Sequence, residues 1–196
     1  MSITMLTASS ARATEEPKEL LIAPAMNQAM WRHPATASNV ERLQARGVTL
    51  AGPDAGEQAY RQGHSPGAVY LHLERDLSGP VTGTSGRHPL PDRRIAAARF
   101  GRAGIGNTDQ VVVYDDAAGA IAARLWWLLR WLGHGRVAVL NGGLGAWCEA
   151  GLPLEKGAIT PRPASFVPAA GGVRAVTLEE LLGRTGKAPR LLVDAR

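Results

Sequence analysis

Val111-Val112-Val113-Tyr114-Asp115-Asp116-Ala117-Ala118-Gly119-Ala120 runs directly into the apolar stretch 121–132. The first four residues are β-branched or aromatic and apolar on both faces, as a strand buried inside a parallel sheet requires. The last stretch has helical length. The short loop between them joins a strand's carboxyl end to a helix N-terminus, where free backbone N–H groups and the helix dipole converge on an anion. The anion-loop candidates are Asp116, Ala117, Ala118, Gly119 and Ala120. A thiolate at the head of this loop would be stabilised and nucleophilic. The residue there is Asp115, whose carboxylate can be stabilised by the same donors but is not a thiolate. Adjacent carboxylates rarely converge on one atom, so Asp115 and Asp116 are expected to cap the following helix.

Working outward, strands and helices alternate. Residues 20–23, 48–51, 68–73, 111–115 and 137–140 read as strands, and residues 34–46, 93–103 and 121–132 as helices. Residues 78–91 form a long loop rich in Gly, Pro, Ser and Thr. Asn141-Gly142-Gly143 is a close-packing turn into a short helix with Trp147. The alternation predicts an α/β fold, a three-layer parallel sheet flanked by helices. Residues 154–172 are loop-like, and Thr177 with Glu180 spells a capping box opening another helix.

Five positive charges in excess over 196 residues, scattered singly, argue against nucleic acid as a partner. The apolar stretch 121–132 contains Arg124 and Arg130, which excludes a membrane span. Residues 1–13 lack the continuous apolar core of a secretory signal. With the single Cys148, which excludes an internal disulfide and any multi-cysteine zinc site, this suggests a cytoplasmic protein. Cys148 reads as a packing cysteine. The five histidines show no metal-ligand spacing, so no metal site and no cofactor are expected. Trp126, Trp127 and Trp131 read as core and interface packing.

Gly63-His64-Ser65-Pro66-Gly67-Ala68 reads as a sharp turn before a strand. The glycines supply unusual backbone angles, Pro66 fixes φ, and His64 ties the turn by hydrogen bonds rather than serving as a base. With Tyr60-Arg61-Gln62 before it, this motif resembles the rhodanese family, sulfurtransferases acting on thiosulfate or 3-mercaptopyruvate. Tyr114-Asp115-Asp116, Arg124-Leu125-Trp126-Trp127, Gly133-His134 and Asn141-Gly142-Gly143-Leu144-Gly145-Ala146-Trp147 extend the resemblance, specifically to the amino-terminal domain of two-domain members. Leu192-Val193-Asp194-Ala195-Arg196 resembles the opening of a second domain. The resemblance implies structural roles for Gly63, His64, Pro66, Gly67, Ala68, Gly142, Gly143 and Trp147. It also implies that Asp115 stands at the nucleophile position of a non-catalytic domain, and that the expected partner is a catalytic rhodanese domain. Apolar surface left bare without that partner would favour self-association.

Upstream, Ala23-Pro24-Ala25-Met26-Asn27-Gln28-Ala29-Met30-Trp31 and Gly52-Pro53-Asp54-Ala55-Gly56-Glu57 resemble a different family, the flavin-dependent phosphopantothenoylcysteine decarboxylases of coenzyme A biosynthesis. That resemblance implies a substrate contact for Asn27. The expected organisation is a disordered arm over 1–19, a decarboxylase-like piece over 20–57 completing the sheet, a rhodanese-like domain over 58–156, a linker over 157–175 and a truncated second unit over 176–196. The junction, whether a natural fusion, a design or a misassembled gene model, falls near residues 57–60. Residues 48–51 are expected in the strand position that the junction displaced, with residues 191–193 as the competing occupant.

Overall fold

Alternating burial along one strand sets out the layers. Strand β5 (Val111–Tyr114) turns Val111 and Val113 to one apolar cluster and Tyr114 to another. This is the period-two geometry of a strand covered on both faces. The computed structural model describes residues 3–4, 21–22, 34, 38, 41, 49–50, 54–117, 119–170 and 172–183. Within them the elements are β1 (Ile3–Thr4), β2 (Leu21–Ile22), β3 (Thr49–Leu50), α1 (Ala55–Gln62), β4 (Val69–Tyr70), α2 (Arg93–Arg102), β5, α3 (Ala122–Trp131), β6 (Val137–Val139), α4 (Gly143–Glu149) and α5 (Leu178–Leu182).

The main sheet is parallel, in the order β4-β1-β5-β6. On one face, Phe100 of α2 and Leu125, Leu128 and Leu129 of α3 are buried against Val69, Val111 and Val113. Each such side chain contributes about 1.5–3 kcal/mol on burial. The opposite face is smaller and more polar: Tyr60 of α1 meets Ala68 and Tyr114, with Leu144 of α4 packed alongside. The architecture is therefore the helix–sheet–helix α/β sandwich that the alternation of elements predicts.

The strand position between β4 and β5 is filled differently from expectation. Ile3 pairs with Val69 and Val113, and Thr4 with Tyr70 and Tyr114. The slot thus belongs to two residues of the segment read as a disordered arm. Thr49–Leu50 is a strand, as read, but it pairs in parallel with Leu21–Ile22 in a separate two-stranded sheet. The backbone is helical at positions 34, 38 and 41 between them. The local partner thus satisfies residues 49–50, and the decarboxylase-like piece does not complete the main sheet through them. The competing segment 191–193 lies outside the described residues, as do Asn27 and Ala118.

Helix α1 was not foreseen, because no element was assigned to residues 55–62. Its signals were Asp54 just before it and the i,i+4 pair Glu57–Arg61, whose atoms meet at 2.9 Å. Helix α2 begins where Asp92 accepts hydrogen bonds from the N–H groups of Arg94 and Ile95. Helix α5 carries the predicted capping box between Thr177 and Glu180. Residues 154–172 are irregular but closely applied to the domain. Glu155 exchanges backbone bonds with His64, Ala164 N–H donates to Gly101, Ala169 N–H donates to Leu132, and Phe166 is buried in the core. They form a strap rather than a free linker.

Candidate functional site

The loop after β5 closes on its own first residue. Asp115 is 1% exposed. Its Oδ1 accepts from the N–H groups of Ala117 at 3.0 Å and Gly119 at 2.7 Å. Its Oδ2 accepts from those of Ile121 and Ala122, both at 2.8 Å. The loop is an anion nest whose anion is the side chain of Asp115. Of the candidate residues Ala117 and Gly119 donate to it, whereas the Ala120 N–H donates to Ala117 O, and Ile121 and Ala122, which were not among the candidates, supply the other two donors. The carboxylate also caps α3 from seven residues upstream, serving donors that the residue before the helix leaves unserved.

Two neighbours make this conformation possible. Gly119 sits at φ +89°, which lets the loop curl its N–H groups inward. Gly143, at φ +57°, lies against the Asp115 carbonyl, and a Cβ there would stand 2.3 Å from that oxygen. The same carbonyl accepts the N–H of Leu144 at 3.0 Å. The Gly142-Gly143 turn is thus a close-packing device, as read. It locks the backbone of Asp115 while the nest locks its side chain.

Residues 63–68 form the second wall. The N–H of Ala68 donates to Ser65 O at 3.0 Å, with Pro66 and Gly67 as central residues and Gly67 at φ +73°. This is a type II turn. The N–H of Ser65 donates to the Tyr114 hydroxyl at 2.8 Å, coupling the turn to the residue beside Asp115. His64 is fully buried and stacked on Tyr60, with ring centroids 4.1 Å apart. Its ring nitrogens face the carbonyls of Ser65 at 3.0 Å and Gly157 at 3.2 Å. Its ring is therefore engaged in holding turn and strap together, and among the described residues both its nitrogens meet backbone carbonyls and no nucleophile. Tyr60 completes the tie, donating to Ala68 O at 2.7 Å and accepting the N–H of Ile159 at 3.2 Å.

Trp147 donates its indole N–H to Pro153 O at 2.9 Å and so fixes the start of the strap. Its neighbour Cys148 is exposed, contrary to the packing role read for it, because α4 turns that side to solvent. Trp127 and Trp131 stack on each other at 5.8 Å, Arg93 lies over Trp131, and all three α3 tryptophans pack against the core. Among the described residues no group of three His, Cys, Asp or Glu side chains converges as a metal site.

Arg124 is the positioning residue that sequence reasoning missed. It stood out as a charge interrupting an apolar helix and as part of the segment resembling the rhodanese family, with no role assigned to it. Its guanidinium donates to the carbonyls of Leu77, His88 and Pro89 at 3.0 to 3.3 Å, and burial pulls it below its usual range. It fastens both ends of the long loop 78–91 to α3.

Residues 54–150 match the family described as Rhodanese-like domain, and residues 2–65 match the one described as Flavoprotein. A curated relative named "Probable 3-mercaptopyruvate sulfurtransferase" from Pseudomonas aeruginosa is 47% identical over 152 residues, 75% of this chain and 52% of that protein. The thiosulfate sulfurtransferase of Gallus gallus is 34% identical over 143 residues, 71% of this chain and 48% of that protein. The chain thus spans about half the length of these relatives. Among solved structures, SseA from Escherichia coli, described as a 3-mercaptopyruvate sulfotransferase of rhodanese fold, superposes with a TM-score of 0.58 at 27% identity. The match covers 86% of this chain and 57% of that one. No helix among the described residues is long and apolar enough to cross a membrane. Fold, turn motif, glycine turn and sequence similarity agree that residues 54–150 are a member of the rhodanese-like domain family.

Proposed function

We propose that this chain supplies the non-catalytic domain of a sulfurtransferase that uses thiosulfate or 3-mercaptopyruvate, and that it acts by covering a cysteine-bearing rhodanese domain. The observation that carries this reading is Asp115, whose carboxylate fills the anion nest with four hydrogen bonds. In sulfur transfer a thiolate attacks the donor's outer sulfur, sulfite or pyruvate leaves, and the outer sulfur of the resulting persulfide then passes to a thiol or cyanide, regenerating the thiolate. Neither step has a nucleophile in this loop. A substrate anion would also have to displace a covalently tethered carboxylate from donors it already saturates. Cys148 sits on the exposed side of α4, outside any strand-to-helix loop. A cytoplasmic location belongs to the same proposal.

The test measures sulfur transfer from thiosulfate and from 3-mercaptopyruvate to cyanide by the purified chain. Background rates are expected with both donors, and turnover above background that survives Cys148→Ser would refute the proposal. Asp115→Cys reports on the nest itself. Its thiol should react with iodoacetamide near neutral pH well above the rate of Cys148, because the four donors then face a sulfur.

A second reading rests on the Flavoprotein match over residues 2–65. It makes the chain a flavin-dependent phosphopantothenoylcysteine decarboxylase-like protein, with Asn27 at the substrate. Flavin absorbance bands in the visible would be expected of it, since the isoalloxazine carries its own chromophore. A colourless preparation that takes up no added flavin mononucleotide would eliminate it.

A further inference from the structure

Outside the Asp115 loop, the chain has a cleft of about 410 Å³ against the outer side of β4. This volume lies within the range of small-molecule sites. Helix α1, the end of α2 and the strap close around it, and among the described residues β4 has no strand partner on that side. The lining is strongly polarised. Four arginines, Arg61, Arg75, Arg99 and Arg102, face two acids, Glu57 and Asp76.

Their engagements differ. Arg99 is occupied, donating to the carbonyls of Asp76 and Ser78. Glu57 bridges Arg61 at 2.9 Å and Arg75 at 2.7 Å, and these guanidinium groups hold its carboxyl below the usual range. A guanidinium has five N–H donors, so both arginines keep free edges. Among the described residues neither the Arg102 guanidinium nor the Tyr70 hydroxyl has a hydrogen-bond partner. Burial pushes Tyr70 up to about 12, so its hydroxyl stays a neutral donor at physiological pH. Val69, Leu71 and Ile159 give the same cleft an apolar floor.

We propose that this cleft is a binding site for a small organic oxyanion, a carboxylate or phosphate monoester on a compact apolar body. Arg61, Arg75 and Arg102 hold the oxyanion, Tyr70 donates to it, and Val69 and Ile159 pack the body. Glu57 occupies the arginines in the empty site and competes with the ligand for them. The site involves neither Asp115 nor the proposed role of the domain in sulfur transfer, so either idea can fail alone.

The experiment is calorimetric titration of the full chain with phenyl phosphate, benzoate, inorganic phosphate and phenol. Phenyl phosphate or benzoate should bind at least tenfold more tightly than inorganic phosphate and phenol. Which of the two wins identifies the anion. Arg75→Gln and Tyr70→Phe should weaken the better ligand about fivefold or more, with thermal midpoints confirming that both variants fold. Glu57→Gln should tighten it severalfold, while Glu179→Gln, far along the chain in α5, should leave it unchanged. Absence of heat with every probe would overturn the proposal. So would equal affinity for phenyl phosphate and inorganic phosphate, or equal effects of Glu57→Gln and Glu179→Gln.

Discussion

Replacing Asp115 by alanine removes the acceptor of four backbone N–H groups in one step. A hydrogen bond to a charged group contributes about 1.5–3 kcal/mol net, so four such bonds set a gross limit of about 6–12 kcal/mol. Water entering the vacated space, next to a partly exposed loop, recovers part of this. The net cost should be about 3–5 kcal/mol, the range seen when one partner of a buried charged arrangement is removed. Urea unfolding followed by tryptophan fluorescence reads this as a lowered midpoint at unchanged slope. The emptied nest also has the shape of the missing group, and formate is that group without its tether. If formate occupies the nest with a Kd near ~10 mM, then ~100 mM should restore about 1.4 kcal/mol to the variant. Sodium chloride at the same ionic strength should not, and the wild-type chain should respond equally to both salts. A variant within about 1 kcal/mol of wild type, or one blind to the difference between formate and chloride, would refute the self-filled nest.

Asp115→Asn keeps one acceptor but aims an NH₂ at two N–H donors, so it should be no more stable than the alanine variant by the same unfolding assay. Gly143→Ala forces a Cβ against the Asp115 carbonyl at a positive φ. It should cost about 3 kcal/mol or more in urea unfolding. Arg124→Met leaves the carbonyls of Leu77 and His88 unserved, while Pro89 O keeps the N–H of Gly79, and should cost about 2–3 kcal/mol. Limited proteolysis of that variant should move to residues 78–91, and an unchanged cleavage pattern would show that Arg124 does not fasten the loop. Tyr70 is held neutral by burial up to about 12, whereas the unfolded chain ionises it near ~10. Its contribution is therefore complete below pH ~10 and falls away between ~10 and 12, by about 2–3 kcal/mol. Burial also raises Tyr60, so absorbance at 295 nm against pH should show a late tyrosinate component that Tyr70→Phe reduces without abolishing.

Where local chemistry decides, the sequence was readable. A run of β-branched residues, an Asp at the following turn and an apolar stretch sufficed to place β5, the loop and α3. The Pro66-Gly67 pair likewise predicted a sharp turn, which the chain forms as type II, whereas Gly63, read as supplying an unusual angle, is extended at φ 179°. What could not be read depends on directions in space. Nothing in the order of residues says that the N–H groups of Ala117, Gly119, Ile121 and Ala122 aim at one carboxylate, because that follows from how the loop curls over Gly143. Arg124 was opaque for a related reason, since its partners are carbonyls, which every residue carries. The identity of the strand beside β5 was missed because two β-branched residues in a polar segment make too short a pattern to weigh against residues 48–51. Cys148 was misread because a seven-residue helix turns too few side chains to show which is its solvent face.

The order β4-β1-β5-β6 has a consequence for how the chain reaches its native state. Its first strand lies between two others, and more than a hundred residues separate Ile3 from its partner Val113. Contacts of such sequence separation are formed late and slowly, because loop closure must be met before pairing rewards it. During synthesis β1 emerges first and must keep its place beside β4 until β5 arrives, and on refolding residues 3–4 must enter the gap between β4 and β5. The domain should therefore refold in two kinetic phases. The fast one assembles β5, β6 and α3, and the slow one, abolished by deleting residues 1–4, is the insertion of the amino-terminal strand.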